Sequence, residues 1–326
     1  MKKHLVLLVV MMLSMGVQAG EVLYAEIDGT NMTLKCGDSA PDGTFKYTGS
    51  DEWSRSLSST ITTVTIDASC TSYTGTSLAS LFHGFGKLES IIGLSNLNTA
   101  NVTSMKAMFL GCNALTSLVF SGWDTANVTN MSSMFQDCYA LVTLDLSTFN
   151  TKNVTDMNGM FIYCQALTSL DLSGWDTSNV TKINAMFFGC RSLTSLDLGS
   201  FNTSKVRYMT AMFWGCRTLS TIYGKNWDTS LVTESGEMFM MCDKLVGGAG
   251  TVYSRINADN RNYARIDGGP EAPGYFTDKD ATGVKALTTS KMMTEHTPVY
   301  TLQGQRLTNK PSKGIYIQNG KKVVIK

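Results

Sequence analysis

The sequence predicts an α/β repeat solenoid: a stack of about six to seven strand-helix units, closed by a β-rich cap in front and a small β module behind. Three observations carry this expectation. Cys112, Cys138, Cys164, Cys190, Cys216 and Cys242 stand 26 residues apart, and a Met-Phe pair keeps the same beat from Met108-Phe109 to Met238-Phe239. Leu141, Leu144 and Leu146, repeated as Leu167, Leu170 and Leu172, have the L-x-x-L-x-L form of a short strand lining a solenoid. Val128, Met131, Met134, Phe135 and Cys138 then fall at steps of three, three, one and three, the spacing of one apolar helix face. A single unit of this kind cannot cover its own apolar side, so neighbours must stack.

The elements follow in chain order. Lys2 and Lys3 precede an apolar run from Leu5 to Val17 and a small-residue end at Ala19, which predicts a secretory signal peptide over residues 1–19. Residues 20–80 read as a β-rich N-terminal cap containing ITTVTIDAS, Ile61 to Ser69. The solenoid is expected over residues 81–246, with Leu81-Phe82 marking a degenerate first rung. Asp124 and Thr125 are placed as N-caps of the helix in their unit. A turn-rich C-terminal cap is expected over 247–280, beginning at Gly247, Gly248 and Gly250. Residues 281–326 form a linker and a basic β-hairpin tail, in which Asn319-Gly320 is a strong two-residue hairpin signal. From Thr297 onward five lysines and Arg306 stand without an acid, while the whole chain carries only +1, so the body is mildly acidic and offers no basic patch for nucleic acid. No segment after the leader is apolar enough to span a membrane.

The aromatic ahead of each expected helix alternates Trp123, Phe149, Trp175, Phe201, Trp227, and its neighbour alternates Asp124, Asn150, Asp176, Asn202, Asp228. Aspartates stacked at a strand spacing of about 4.8 Å repel by roughly 0.9 kcal/mol per pair even in water, and interposed asparagines double their separation. The aromatic row reads as internal packing, with a ligand platform as the alternative. The motif LTSLDLSGWDTSNVTKINAMFFGC, Leu167 to Cys190, resembles the repeat of the BspA-like leucine-rich-repeat family of bacterial surface proteins. ITTVTIDAS, and YARIDGGPEAPGYFT from Tyr263 to Thr277, resemble caps of such proteins from Bacteroidetes, and the tail resembles their C-terminal sorting signals. The resemblance implies a leucine-rich-repeat-like solenoid on the outer-membrane exterior or secreted, acting in adhesion. Its implied partners are host extracellular-matrix or cell-surface proteins or other bacterial surfaces, with glycan binding or a purely structural role as alternatives.

No catalytic constellation is expected. After the leader only His83 and His296 remain, and no nucleophile elbow, phosphate loop, HExxH or CxxC occurs. Asp145, Asp171 and Asp197 hold one equivalent strand position, which suits a solvated acidic row better than distinct acid and base roles. No metal or cofactor is expected, because the ladder cysteines lie a full rung apart and no histidine keeps the beat. Disulfides between rungs fit poorly, and Cys36 with Cys70, outside the ladder, is the one disulfide expected. Binding is placed on the slot between Met-Phe and Cys, which varies as Gln136, Ile162, Phe188, Trp214 and Met240 in an otherwise strict unit. Exposed, the last four would form an apolar stripe edged by Tyr139, Arg191 and Arg217, with deeper burial of the stripe as the competing expectation. Two minor patterns complete the sequence: Asp38-Ser39-Ala40 and Asp124-Thr125-Ala126 resemble a short O-glycosylation signal, and the Asn-Val-Thr series at Asn101, Asn127, Asn153 and Asn179 is placed in shaping the turn.

Overall fold

A computed structural model describes residues 22–49, 57–225 and 227–280, together with the strands 299–300, 306–307, 314–318 and 321–325. The expected leader and the Asn319-Gly320 turn lie outside the described residues. The chain divides into two compact units at Asp280.

The first unit opens with a five-stranded sheet. Strands β1 (Val22–Asp28) and β2 (Asn31–Gly37) form an antiparallel hairpin turned at Gly29, whose φ of 59° suits a residue without Cβ. β3 (Phe45–Lys46) flanks β1, and β4 (Thr63–Ile66) and β5 (Ser90–Ile92) continue the sheet in parallel from β2. Alternate residues of β2 and β4 are buried, as a half-covered sheet requires. β5 lies in the first rung and also completes the cap sheet, so cap and repeats share one backbone ladder.

From Ser77 to Glu234 the units stack in parallel, each bridging the next at Ser77, Ser104, Asn130, Asp156, Lys182, Tyr208 and Glu234. On the L-x-x-L-x-L side, β6 (Ser117–Val119) pairs in parallel with β7 (Thr143–Asp145). Further along, β8 (Ser195–Leu198) pairs with β9 (Thr221–Gly224), and β9 with β10 (Phe276–Thr277) of the C-terminal cap.

The expected helix does not form: the described residues between 77 and 245 contain no α-helix, only the short 3-10 helix Leu94–Asn96. The segment from Met131 to Cys138 is instead a run of tight turns bonded to the next rung. Amides of Met131, Ser133, Phe135 and Asp137 donate to the carbonyls of Asp156, Asn158, Met160 and Ile162 at 2.7–3.0 Å. Those of Met134, Gln136 and Cys138 donate three residues back within the rung, and that of Ser132 donates to Asn130 Oδ1. The alternation depends on two left-handed residues per rung, here Ser133 (φ 55°) and Asp137 (φ 60°), which a continuous helix excludes. The unit is therefore strand and turn ladder, and the α/β expectation is corrected to a turn-and-strand stack. Steps of three in an apolar pattern arise equally from successive turns.

The core is a column of rings. Phe82, Phe109, Phe135, Phe161, Phe187, Phe213 and Phe239 stack rung on rung with centroids 5.5–5.8 Å apart. The paired methionines from Met108 to Met238 pack beside them, all fully buried. Because turn-ladder amides point toward the next rung, the first rung is left with free carbonyls and the last with free amides. The caps supply what is missing. Tyr73 donates its hydroxyl to the Ser77 carbonyl at 2.9 Å and Tyr47 to that of Ala79. At the far end, Asp259, the Ala258 carbonyl and the Tyr253 hydroxyl accept from the amides of Glu237, Phe239 and Met241.

The second unit is a four-stranded antiparallel sheet of β11 (Val299–Tyr300), β12 (Arg306–Leu307), β13 (Gly314–Gln318) and β14 (Lys321–Ile325), in the order β12-β11-β13-β14. Gln318 pairs with Lys321, so two residues connect β13 to β14, the hairpin that Asn319-Gly320 predicts.

Candidate functional site

The repeating cysteines are fully buried thiols, and each has one partner. Cys190 Sγ lies 3.1 Å from the carbonyl of Phe161 in the preceding rung, as Cys138 meets Phe109, Cys164 meets Phe135 and Cys216 meets Phe187 at 3.0–3.2 Å. The same carbonyl of Phe161 also accepts the Cys164 amide, so its two lone pairs are used. Burial pushes the Cys138 and Cys216 thiols up to about 12, and those of Cys112, Cys164, Cys190 and Cys242 well above their ordinary value. Buried and hydrogen-bonded to a backbone carbonyl, such a thiol is held in its neutral form, which is a poor nucleophile. Removing the thiol in Cys190→Ala takes away this bond and leaves a small cavity, and is expected to cost about 1–2 kcal/mol in chemical denaturation. No change in midpoint would remove the thiol's structural role.

The disulfide expected between Cys36 and Cys70 does not form in the structure, where both are buried thiols. Cys70 Sγ instead lies 3.4 Å from the Leu34 carbonyl. Desolvation raises both thiols, Cys70 to about 12.

The acidic row is also structural. Asp145, Asp171 and Asp197 each accept the backbone amide two residues on, at 2.9–3.0 Å, closing the bend after the strand. Bonds from Ser147 and Ser173 hold the carboxyls of Asp145 and Asp171 below their ordinary range, so both stay ionised and neither is a proton donor at neutral pH. Lys279, arriving from the C-terminal cap, pairs with Asp197.

Asp124 and Thr125 cap no helix. Asp124 Oδ1 accepts the Ala126 amide, a local turn, and Thr125 is a buried clamp between rungs. Its hydroxyl donates to the Asn150 carbonyl at 3.1 Å and accepts the Asn150 amide at 2.8 Å, a pattern that Thr177 repeats on Asn202. Buried and bonded both ways, Thr125 is closed to glycosylation, whereas Ser39 is exposed. The Asn-Val-Thr asparagines hold the turn from rung to rung: Asn127, Asn153 and Asn179 donate side-chain amides to the carbonyls of Ala100, Ala126 and Lys152 at 2.7–2.8 Å. Trp123, Phe149, Trp175 and Phe201 are buried and Trp227 partly so, which makes that alternating row interior packing and removes it as a ligand platform.

One set of rings reaches the surface. Ile162, Phe188, Trp214 and Met240 are half-buried, between the two expectations for them. Phe188 and Trp214 stack with centroids 4.3 Å apart and planes within 7°. Tyr163 meets Phe188 edge-on at 5.2 Å, and Tyr139, 42% exposed, lies 6.3 Å from Tyr163. Four rings thus climb consecutive rungs as a staircase. Arg191 and Arg217 are exposed, in the rung position that Tyr139 holds, and Arg217 Nη2 reaches 3.5 Å from Met241 Sδ beside the stripe.

Tyr163 was not among the expected site residues. It sits where the next rungs carry Gly189 and Gly215, and a Cβ on Gly189 would lie 2.4 Å from the Tyr163 ring. The signal was present as an aromatic in a glycine slot. Only the fold shows that the glycine is the space into which that aromatic turns.

Two overlapping stretches, residues 76–170 and 141–249, match the family described as "Mycoplasma protein of unknown function, DUF285", and together cover more than half of the chain. The chain belongs to this DUF285 family. A leucine-rich repeat protein from Bacteroides ovatus ATCC 8483, solved at 1.19 Å, is similar at 16% identity over 70% of this chain and 80% of that one, with a TM-score of 0.22. A search of curated proteins finds no match. The matched DUF285 region contains the whole staircase and both arginines, so the candidate surface belongs to the repeats and not to the caps.

Proposed function

We propose that the protein is a secreted or cell-surface binding protein that acts without catalysis, and that it holds a protein partner along the staircase of Tyr139, Tyr163, Phe188 and Trp214. The observation that carries the proposal is the half-buried stack of Phe188 on Trp214. Large rings anchored on one side by a rigid scaffold and open on the other are the residue types that dominate protein contacts, because little side-chain freedom remains to be lost on binding. A stacked repeat also presents an extended surface without needing a pocket. Adhesion to host matrix or cell-surface proteins, or to other bacterial surfaces, is the setting that the BspA-like resemblance suggests.

The ring geometry favours protein over glycan. Sugar stacking needs an open ring face, but Phe188 and Trp214 cover one another and Tyr163 closes on Phe188 from the preceding rung.

The test is the double variant Phe188→Ala, Trp214→Ala, measured against a panel of immobilised extracellular-matrix proteins and a polysaccharide array. Loss of at least tenfold in affinity for a matrix protein, with the circular dichroism spectrum unchanged, is the expected result. Retained protein binding by the folded variant would move the site elsewhere. Binding confined to polysaccharides would replace the protein reading with glycan recognition, and no binding to either class would favour a structural surface protein.

A further inference from the structure

We infer that the partner segment recognised by the staircase is acidic: an extended, carboxylate-rich polypeptide stretch bearing at least one aromatic or aliphatic side chain. This inference rests on the binding role proposed above and adds the chemistry of the ligand.

Two independent features point the same way. The first is the orientation of the rings. Phe188 and Trp214 stack along the rung axis, so their faces look up and down the stack and their hydrogen-bearing edges look outward. An aromatic ring is negative on its face and positive at its edge, and a column of outward edges therefore presents a positive rim. The second is charge. Arg191 and Arg217 are exposed in the same position of successive rungs, and neither makes an ion pair among the described residues. Their spacing is that of adjacent rungs, which matches carboxylates carried at close intervals on an extended chain.

The acids nearby do not cancel this. Asp137, at the Tyr139 end, accepts a hydrogen bond from the Gln136 side-chain amide at 3.3 Å, and Asp243, which holds the Arg217 position one rung on, makes no ion pair with it among the described residues and is followed directly by Lys244. Between them the stripe carries Ile162, Gln165 and Met240 beside the rings, and its charged groups are Arg191 and Arg217. Arginine forks bind carboxylates in pairs of parallel hydrogen bonds, which gives direction as well as charge to the contact.

The experiment uses the exported chain, residues 20–326, and three immobilised probes: a glutamate-tyrosine copolymer, a lysine-tyrosine copolymer and polygalacturonate. The expected result is binding to the glutamate-tyrosine copolymer at least tenfold tighter than to the lysine-tyrosine copolymer, weakening as salt rises. The pair Arg191→Glu, Arg217→Glu should lose at least tenfold on the first probe and gain on the second. Arg191→Gln with Arg217→Gln, which removes charge without adding repulsion, should also lose affinity for the first probe, and it carries the test where the reversal variant folds poorly. Equal binding to both copolymers, or charge variants that bind as the parent does, would overturn the inference, as would tighter binding to polygalacturonate than to any peptide. If the arginine variants keep binding a matrix protein that Phe188→Ala, Trp214→Ala has lost, the acidic partner falls while the staircase stands. If neither set alters any binding, both fall.

Discussion

Phe161→Ala is expected to destabilise the solenoid by about 3–5 kcal/mol, the range for deleting a buried ring from a packed core. Phe161 is fully buried and lies between Phe135 and Phe187, each 5.7 Å away, with Trp175 at 6.4 Å. Its loss opens a cavity in the middle of the ring column that neither neighbour can fill, since the backbone of each is bonded to the following rung. In a stack whose stability is a sum of units and their interfaces, one weakened junction also divides the array. Urea or guanidinium unfolding followed by circular dichroism measures the effect, and a fall in slope along with midpoint would report that division. A loss below about 1 kcal/mol would mean that the column is more plastic than close packing allows. Phe188, half-buried on the surface, is expected to cost less in stability and more in binding.

Asp267→Ala is expected to cost about 3 kcal/mol and to loosen the C-terminal cap first, because three backbone amides and the Thr251 hydroxyl lose their acceptor. Asp267 is only 2% exposed. Its Oδ2 accepts the amides of Ala249 and Thr251 at 2.8–2.9 Å, and its Oδ1 accepts the Gly269 amide and the Thr251 hydroxyl at 2.7–2.9 Å. Asp267→Asn keeps one of the two oxygens and turns an NH2 toward donors, so it should fall between parent and alanine. Hydrogen exchange at Ala249, Thr251 and Gly269 reads the local opening.

The same carboxylate sets a pH dependence. Burial opposes its charge, but the bonds from Thr251, Gly269 and Ala249 outweigh burial and hold its pKa below the ordinary 3.8. A folded pKa below the unfolded one contributes stability that is present above about pH 3.8 and is lost as pH falls through the lower, folded value. Asp67, Asp145, Asp171, Asp176 and Asp228 are shifted in the same direction by their own turns, with smaller effect because they are exposed or half-exposed. Stability should therefore fall on acidification below about pH 4, and less steeply in Asp267→Asn. An unchanged acid limb in that variant would locate the titration elsewhere.

The sequence by itself determined the repeat and what each rung buries. Cysteine, Met-Phe, valine and leucine positions keep a beat of 26 because each faces the same neighbours in every rung, and each of these ladder positions is interior. The varied slot at Ile162, Phe188, Trp214 and Met240 was legible for the converse reason, since a position not wholly enclosed by identical neighbours is free to differ. Only the tertiary structure decided that the turn side is not helical. Apolar steps of three record which side chains point inward, and they say nothing about whether an amide bonds within its rung or to the next. The caps were equally hidden. Tyr47, Tyr73, Tyr253 and Asp259 occur once each, without a beat, and their role exists only because the stack leaves carbonyls free at one end and amides at the other. Tyr163 joined the surface through the space above Gly189, a contact between rungs that no single unit contains. Periodicity reports what is common to every rung; hydrogen-bond direction, end-capping and contacts across rungs belong to the assembled stack.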